Sequence, residues 1–264
     1  MKGFYLYCVR KKTNSEFSTS GIDGGRIWIL PYQDLEAIVS EVSLEKFGAE
    51  EIQSKAVKDL NWIKEKAQAH ELVVEKAMAK KNGKVIPVIP MKFGTIFKTQ
   101  EKLEATLKKH YSQFKQSLKN LAGKQEWGVK VYLTRGAFDK EIKKVSPVVQ
   151  EKEKEIAALP EGMAYFMQKQ IDDAVLKEAN KALENYTESF FENLKEYAAA
   201  GTKGKILEKE LTGKSLPMVL NAIFLVSEQR LEDFIKEIDK LNQEYKPKGF
   251  NFEYSGPWPP YNFI

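Results

Sequence analysis

From residue 126 to residue 254 the apolar residues alternate between a spacing near two and a spacing near 3.6. The order of that alternation narrows the fold more than any other feature of the chain. EWGVKVYL (126–133) has strand spacing. The charged stretch 137–158 is spaced as helix and broken at Pro147. Pro160 then opens a long helix predicted over 161–200, with Val175, Ala179, Ala182, Tyr186, Phe190, Leu194 and Tyr197 as its apolar stripe. Lys205–Leu211 reads as an edge strand, and Met218–Val226, apolar almost throughout, as a central strand buried on both faces. Ser227 is placed to cap a helix carrying Leu231, Phe234, Ile235, Ile238 and Leu241, and Phe250–Tyr254 is the final strand. Strand, helix, strand, strand, helix, strand is the ferredoxin-like order.

The first half predicts a mixed sheet with helices. Phe4–Val9, Arg26–Leu30 (stopped by Pro31) and Leu35–Val42 fit a small antiparallel sheet, with a polar loop ending at Gly24-Gly25. Residues 50–81 hold no Gly or Pro and read as helix, stopped by Gly83. Leu60, Ile63, Ala67, His70, Val74 and Ala77 form its buried stripe, and Trp62, Ala69 and Val73 a thinner strip opposite. VIPVI (85–89) suits an edge strand, because Pro87 has no amide proton to give a ladder. Thr99 is placed to cap a helix with Leu103, Leu107, Phe114, Leu118 and Leu121 inside. Ala122-Gly123 ends it and marks a boundary between residues 1–123 and 124–264. The whole therefore reads as α+β: an N-terminal mixed sheet with helices, then a ferredoxin-like domain with a tail over 255–264. That tail, SGPWPPYNFI, carries no charged side chain, and its prolines favour extended backbone, so its aromatics must find a groove.

Composition excludes several classes. With 264 residues, 42% hydrophobic and 30% charged, the chain can build a real core and is not disordered. LPMVLNAIFLV (216–226) is too short to span a bilayer, and no signal-peptide pattern opens the sequence, so no membrane partner and a cytoplasmic location are expected. One cysteine, Cys8, leaves no intrachain disulfide and no multi-cysteine metal site. The net charge of +5 is spread along the chain, whereas nucleic-acid binding concentrates it; no nucleic-acid partner is expected.

Residues able to do chemistry are sparse. KFGTIF (92–97) has one glycine and no following Lys-Ser/Thr, so it is not a phosphate loop; Phe93, Ile96 and Phe97 read as core and Gly94 as a tight reversal. His70-Glu71 lacks the second histidine four residues on that a zinc protease helix needs, and His70 and His110 read as packing residues. Cys8 lies in an apolar strand, where a thiol is inert. No catalytic residue, metal ligand or cofactor is expected. On the residues alone, a small-molecule enzyme on a ferredoxin-like domain and an RNA-binding module remain open beside a protein that works by its surface.

FYLYCV (4–9), DLNWIKEKAQAHELV (59–73), IPMKFGTIF (89–97), EWGVKVYL (126–133) and YSGPWPPYNF (254–263) resemble, in the same order, the gas vesicle protein F/L family. The resemblance runs from the first strand to the last residues and is most specific at GPWPPY; residues 137–160 carry none of it. It implies a non-enzymatic accessory protein of gas vesicle assembly, in the gas vesicle or the cytoplasm. Its implied partners are the major hydrophobic shell protein and other accessory proteins, and it is itself a possible minor vesicle component. Interfaces favour aromatic anchors with a charged rim. The expected contact residues are Trp62 and Val73 on the outer helix strip, and Trp258 and Tyr261 in the tail.

Overall fold

β1 (Lys2–Lys11) is the strand around which the first part of the chain is built. It pairs antiparallel with β3 (Leu35–Ser43), with β4 (Val88–Pro90) and with the short β5 (Ile96–Phe97). β2 (Ile27–Tyr32) adds to the far side of β3, giving the order β2-β3-β1-β4 with β5 beside β1. The computed structural model describes residues 1–13, 19–79 and 84–264, with backbone only at 161–162, 164–168 and 170. The expected stop at Gly83 lies outside the described residues, as does part of the polar loop before Gly24.

Register in β1 decides what the sheet presents on each face. Leu6 pairs with Val39 and Cys8 with Ile38, so Tyr7 is the extra residue of a bulge. The bulge puts Tyr7 and Cys8 on one face, with Tyr5, while Leu6 and Val9 face the other way. Helices cover both faces. On the Tyr5–Tyr7 side, α1 (Leu44–Phe47), α2 (Ala49–Lys58) and α3 (Leu60–Ala77) follow β3, and Phe47, Val73, Val74 and Ala77 join the core. On the other side, α4 (Gln100–Leu121) buries Leu103, Leu107 and Leu118 against Leu6, Val9 and Val39. Thr99 caps α4 as expected, accepting from the Lys102 amide at 3.4 Å.

Some details depart from the sequence reading. Pro31 lies within β2, paired with Glu36, because β2 is an edge strand and a missing donor costs nothing on its open side. The helix expected over 50–81 is two helices, broken where the Asp59 side chain accepts from the Trp62 amide at 3.0 Å and starts α3. Leu60, expected inside, is 71% exposed at that new N-terminus.

Two compact units divide the chain: unit 1 is Met1–Glu126 with Pro257–Ile264, and unit 2 is Trp127–Gly256. The segment Pro257–Ile264, read above with residues 124–264, thus groups with unit 1. The connecting strands are β6 (Lys124–Leu133) and β9 (Phe250–Trp258).

In unit 2 the helical stretch after β6 is α5 (Arg135–Val145) and α6 (Pro147–Ala157), separated at Pro147 as expected. The Ser146 hydroxyl caps α6, accepting from the Val149 amide at 3.4 Å. The long α7 (Glu161–Lys195) leads to β7 (Ala200–Lys203), α8 (Lys209–Thr212), β8 (Met218–Ser227) and α9 (Leu231–Tyr245). The strand order is β7-β8-β6-β9. An edge strand exists, but it is β7 at 200–203 rather than 205–211, where α8 begins. β8 is interior to the sheet, yet only one face is buried along its length; on the other Leu225 is buried but Val219, Asn221 and Ile223 are partly exposed. A 3-10 turn at 228–230 separates Ser227 from α9, so Ser227 makes no side-chain cap there. The core gathers Phe138, Phe190, Phe224, Phe234 and Phe250, with Tyr186 and Tyr245 packed against it. Ring centroids of Phe190 lie 4.8 Å from Tyr245, 5.1 Å from Phe250 and 5.0 Å from Phe252, mostly edge to face.

Candidate functional site: two surfaces of unit 1

α3 carries the first surface. Its N-terminal turn sets Trp62 half-buried, with its ring centroid 5.3 Å from that of Phe47. The pair floors a cleft of about 340 Å³. Asp23, Glu45 and Glu51 line it together with Lys46, Lys55 and Lys66. Lys55 Nζ stands 6.0 Å from the indole centroid. An aromatic floor inside a rim of both signs suits a protein side chain as occupant better than a charged small molecule. Val57, 83% exposed, and Leu60 flank the break between α2 and α3.

The second surface is the seat of the last residues. His70, 2% exposed, stands between two tyrosine hydroxyls: Tyr5 Oη is 3.0 Å from Nδ1 and Tyr261 Oη 3.1 Å from Nε2. Tyr261 also donates to Glu71 Oε2 at 2.9 Å, and the Gly94 amide donates to Tyr5 Oη at 2.9 Å. Asn262 gives both its backbone amide and its side-chain amide to the Glu126 carboxylate, at 3.1 and 2.7 Å. Pro259 and Pro260 are buried.

Burial governs the charges here. It holds His70 down at about 4, so the ring is neutral. Burial also raises the Glu71 carboxyl, with Glu75 adding to it and the Tyr261 hydroxyl opposing. Glu126 is raised by burial too, against the Asn262 donors and with Glu71 adding. Tyr5 and Tyr261 are both pushed upward, chiefly by burial, and so stay protonated. Nothing in the arrangement activates a nucleophile. Cys8, fully buried and pushed up to about 12, is inert as expected.

The profile described as "Gas vesicle synthesis protein GvpL/GvpF" matches residues 3–264. The chain belongs to the GvpL/GvpF family. Among relatives, gas vesicle protein L of a Streptomyces species is 24% identical over 262 residues, covering 98% of this chain and 91% of that one. Gas vesicle protein F of Haloferax mediterranei is 23% identical, covering 98% and 92%. The crystal structure of the gas vesicle protein GvpF from an Anabaena species shares the fold, with a TM-score of 0.71 at 20% identity over 100% of this chain and 98% of that one. GvpF from Microcystis aeruginosa gives 0.65 at 18%, over 99% and 98%. A role in gas vesicle formation comes with that membership, and the fold is α+β. No helix among the described residues is long and apolar enough to cross a membrane.

In this GvpL/GvpF member the four expected contact residues have different surroundings. Trp62 lines the cleft. Val73 is fully buried and offers no surface: three residues after His70 and four before Ala77, it shares their buried face of α3 rather than lying opposite it. Trp258, 41% exposed, ends β9. Tyr261 is half-buried and bonded to α3. The sequence reading missed Glu71, Glu126 and Asn262 as a set. Glu126 next to Trp127 at the start of a strand was the available signal, since a carboxylate inside an apolar segment needs donors.

Proposed function

We propose that this chain is an assembly factor of gas vesicles that holds the major hydrophobic shell protein, and other accessory proteins, by surface contact alone. The match to the GvpL/GvpF profile over residues 3–264 is the observation that carries this reading. An amphipathic shell subunit aggregates before assembly because its apolar face has nowhere to go. A partner with matching apolar surface and a charged rim covers that face reversibly. The Trp62–Phe47 cleft, and the exposed Val57 and Leu60 at the break between α2 and α3, support such a role. Trp258 is a further contact residue under this reading. No bond is made or broken, so the protein is not an enzyme, and it works in the cytoplasm or on the vesicle without nucleic acid or membrane. Unit 2 is assigned a ferredoxin-like plan, supported by its element order and its strand order β7-β8-β6-β9.

Co-purification of the tagged full chain with the shell protein tests the proposal. The wild-type chain is expected to retain the shell protein, and Leu60→Asp with Trp62→Ala to lose about tenfold or more of it. Unchanged far-ultraviolet dichroism would place that loss at the surface. A wild-type chain that retains none of the shell protein would overturn the reading.

A further inference from the structure

The geometry points to one residue type as the occupant of the Trp62 cleft: an arginine side chain presented by the partner protein. The assignment rests on the assembly reading for who that partner is, and on the cleft alone for what it recognises.

The floor is aromatic and held in place. Phe47 is 1% exposed, and the Trp62 ring packs on it at 5.3 Å, tilted by 40°. The Trp62 amide donates to the Asp59 cap at 3.0 Å, so the start of α3 sets where the indole stands. An indole face attracts cations more strongly than the other side-chain rings do. Lys55 Nζ stands 6.0 Å from its centroid, at the outer limit of such contacts.

The charges around this floor do not balance. Lys46 pairs with Asp23 at 3.7 Å, Lys55 with Asp59 at 3.5 Å and Lys66 with Glu65 at 3.0 Å. Glu45 takes the amino group of Met1 at 3.1 Å. Glu51 lines the same cleft and has no ion pair among the described residues. Asp23, Glu45, Glu51, Asp59 and Glu65 thus stand against four cations, which leaves the cleft one positive charge short. Exposed pairs add little stability, but their sum sets the sign of what the cleft attracts.

A cation that serves both the floor and the spare carboxylate has to be flat. A guanidinium lies on an aromatic face and still offers its edge N–H groups to a carboxylate in a two-pronged bond. An ammonium is a compact, strongly hydrated point charge and gains less from the ring. The cleft, at about 340 Å³, is at the small end for a ligand site and takes one long side chain rather than a helix.

Glu51 also lies in the first turn of α2, where a carboxylate favours the helix dipole. Glu50 shares that turn but does not line the cleft, so it is the control. The test follows the Trp62 indole N–H signal of the nitrogen-15-labelled full chain while N-acetyl-arginine amide is added at constant ionic strength. Arginine amide is expected to move that signal, and N-acetyl-lysine amide to bind at least threefold more weakly. Glu51→Gln should weaken arginine amide about fivefold, and Glu50→Gln should leave it unchanged. A silent Trp62 signal, equal binding of the lysine amide, an unaffected Glu51→Gln or an equal effect of Glu50→Gln would each overturn the assignment. Free arginine binding tenfold more tightly than the capped form would make the ligand a metabolite and overturn it too. Retention of the shell protein by wild type reads the assembly role separately. Retention with a silent Trp62 signal overturns the arginine site alone, and a Trp62 response without retention overturns the assembly role alone.

Discussion

His70 shows how one side chain couples the core of unit 1 to pH. The ring is held at about 4 by burial, against an ordinary value of 6.5. Between those values the unfolded chain binds more protons than the folded one, so stability falls as pH drops through the window. The gap corresponds to about 3 kcal/mol. Glu71 and Glu126 work in the opposite sense: their raised carboxyls take up protons at higher pH when folded, so acid favours the folded state there. Urea unfolding of wild type and His70→Gln at pH 7 and pH 4.5 separates the terms, since both carboxyls remain in each. Wild type should lose about 2 kcal/mol more than the variant over that span; equal losses would mean that His70 titrates as it does unfolded. Arg10 is the buried cation of unit 1's core, 1% exposed, with Nε 2.7 Å from Glu36 Oε1 and a further bond to the Ala77 carbonyl at the end of α3. Arg10→Met strands Glu36 inside the protein and should cost about 3–5 kcal/mol in chemical denaturation, more than Arg10→Met combined with Glu36→Leu.

Elements were legible where period and punctuation agreed, and obscure where a single hydrogen bond or an extra residue decided. Thr99 and Pro147 each marked a boundary the structure keeps, because a cap and a missing amide proton act locally. The bulge at Tyr7 could not be read, since alternating aromatics look the same with or without an extra residue. The break at Asp59 could have been: Asp is a strong cap, but the helix formers on either side masked it. That one side chain makes Leu60 the first residue of α3, where it is exposed, while Val73 is buried because it shares a face with His70 and Ala77. β8 misled for another reason. A run of apolar residues says what can be buried, and Asn221 within it showed that one face is not. Asp59→Ala should lower stability by about 1 kcal/mol in thermal unfolding. It should also weaken the Trp62 cleft, whose position depends on where α3 starts; a variant as stable as wild type would mean that the cap does not set that start.

At the scale of the whole molecule, the last residues matter more than their lack of charge suggested. The sequence reading required only that the tail find a groove; the seat stayed hidden because its donors and acceptors lie far apart in the chain, at Tyr5, His70, Glu71 and Glu126. No spacing rule links such positions. Unit 1 is consequently assembled from both ends of the sequence, Met1–Glu126 and Pro257–Ile264. Ending the chain at Gly256 removes the buried Pro259 and Pro260, with Tyr261 as a partner of His70 and Glu71 and Asn262 as a partner of Glu126, and returns two carboxylates to water. The net loss should be about 2 kcal/mol, because the regained hydration offsets part of the lost bonding. Amide exchange in α3 around His70 should therefore quicken by about thirtyfold, while amides of β8, in unit 2, keep their protection. Equal quickening in β8 would mean that the tail stabilises the molecule by some route other than the bonds at its seat.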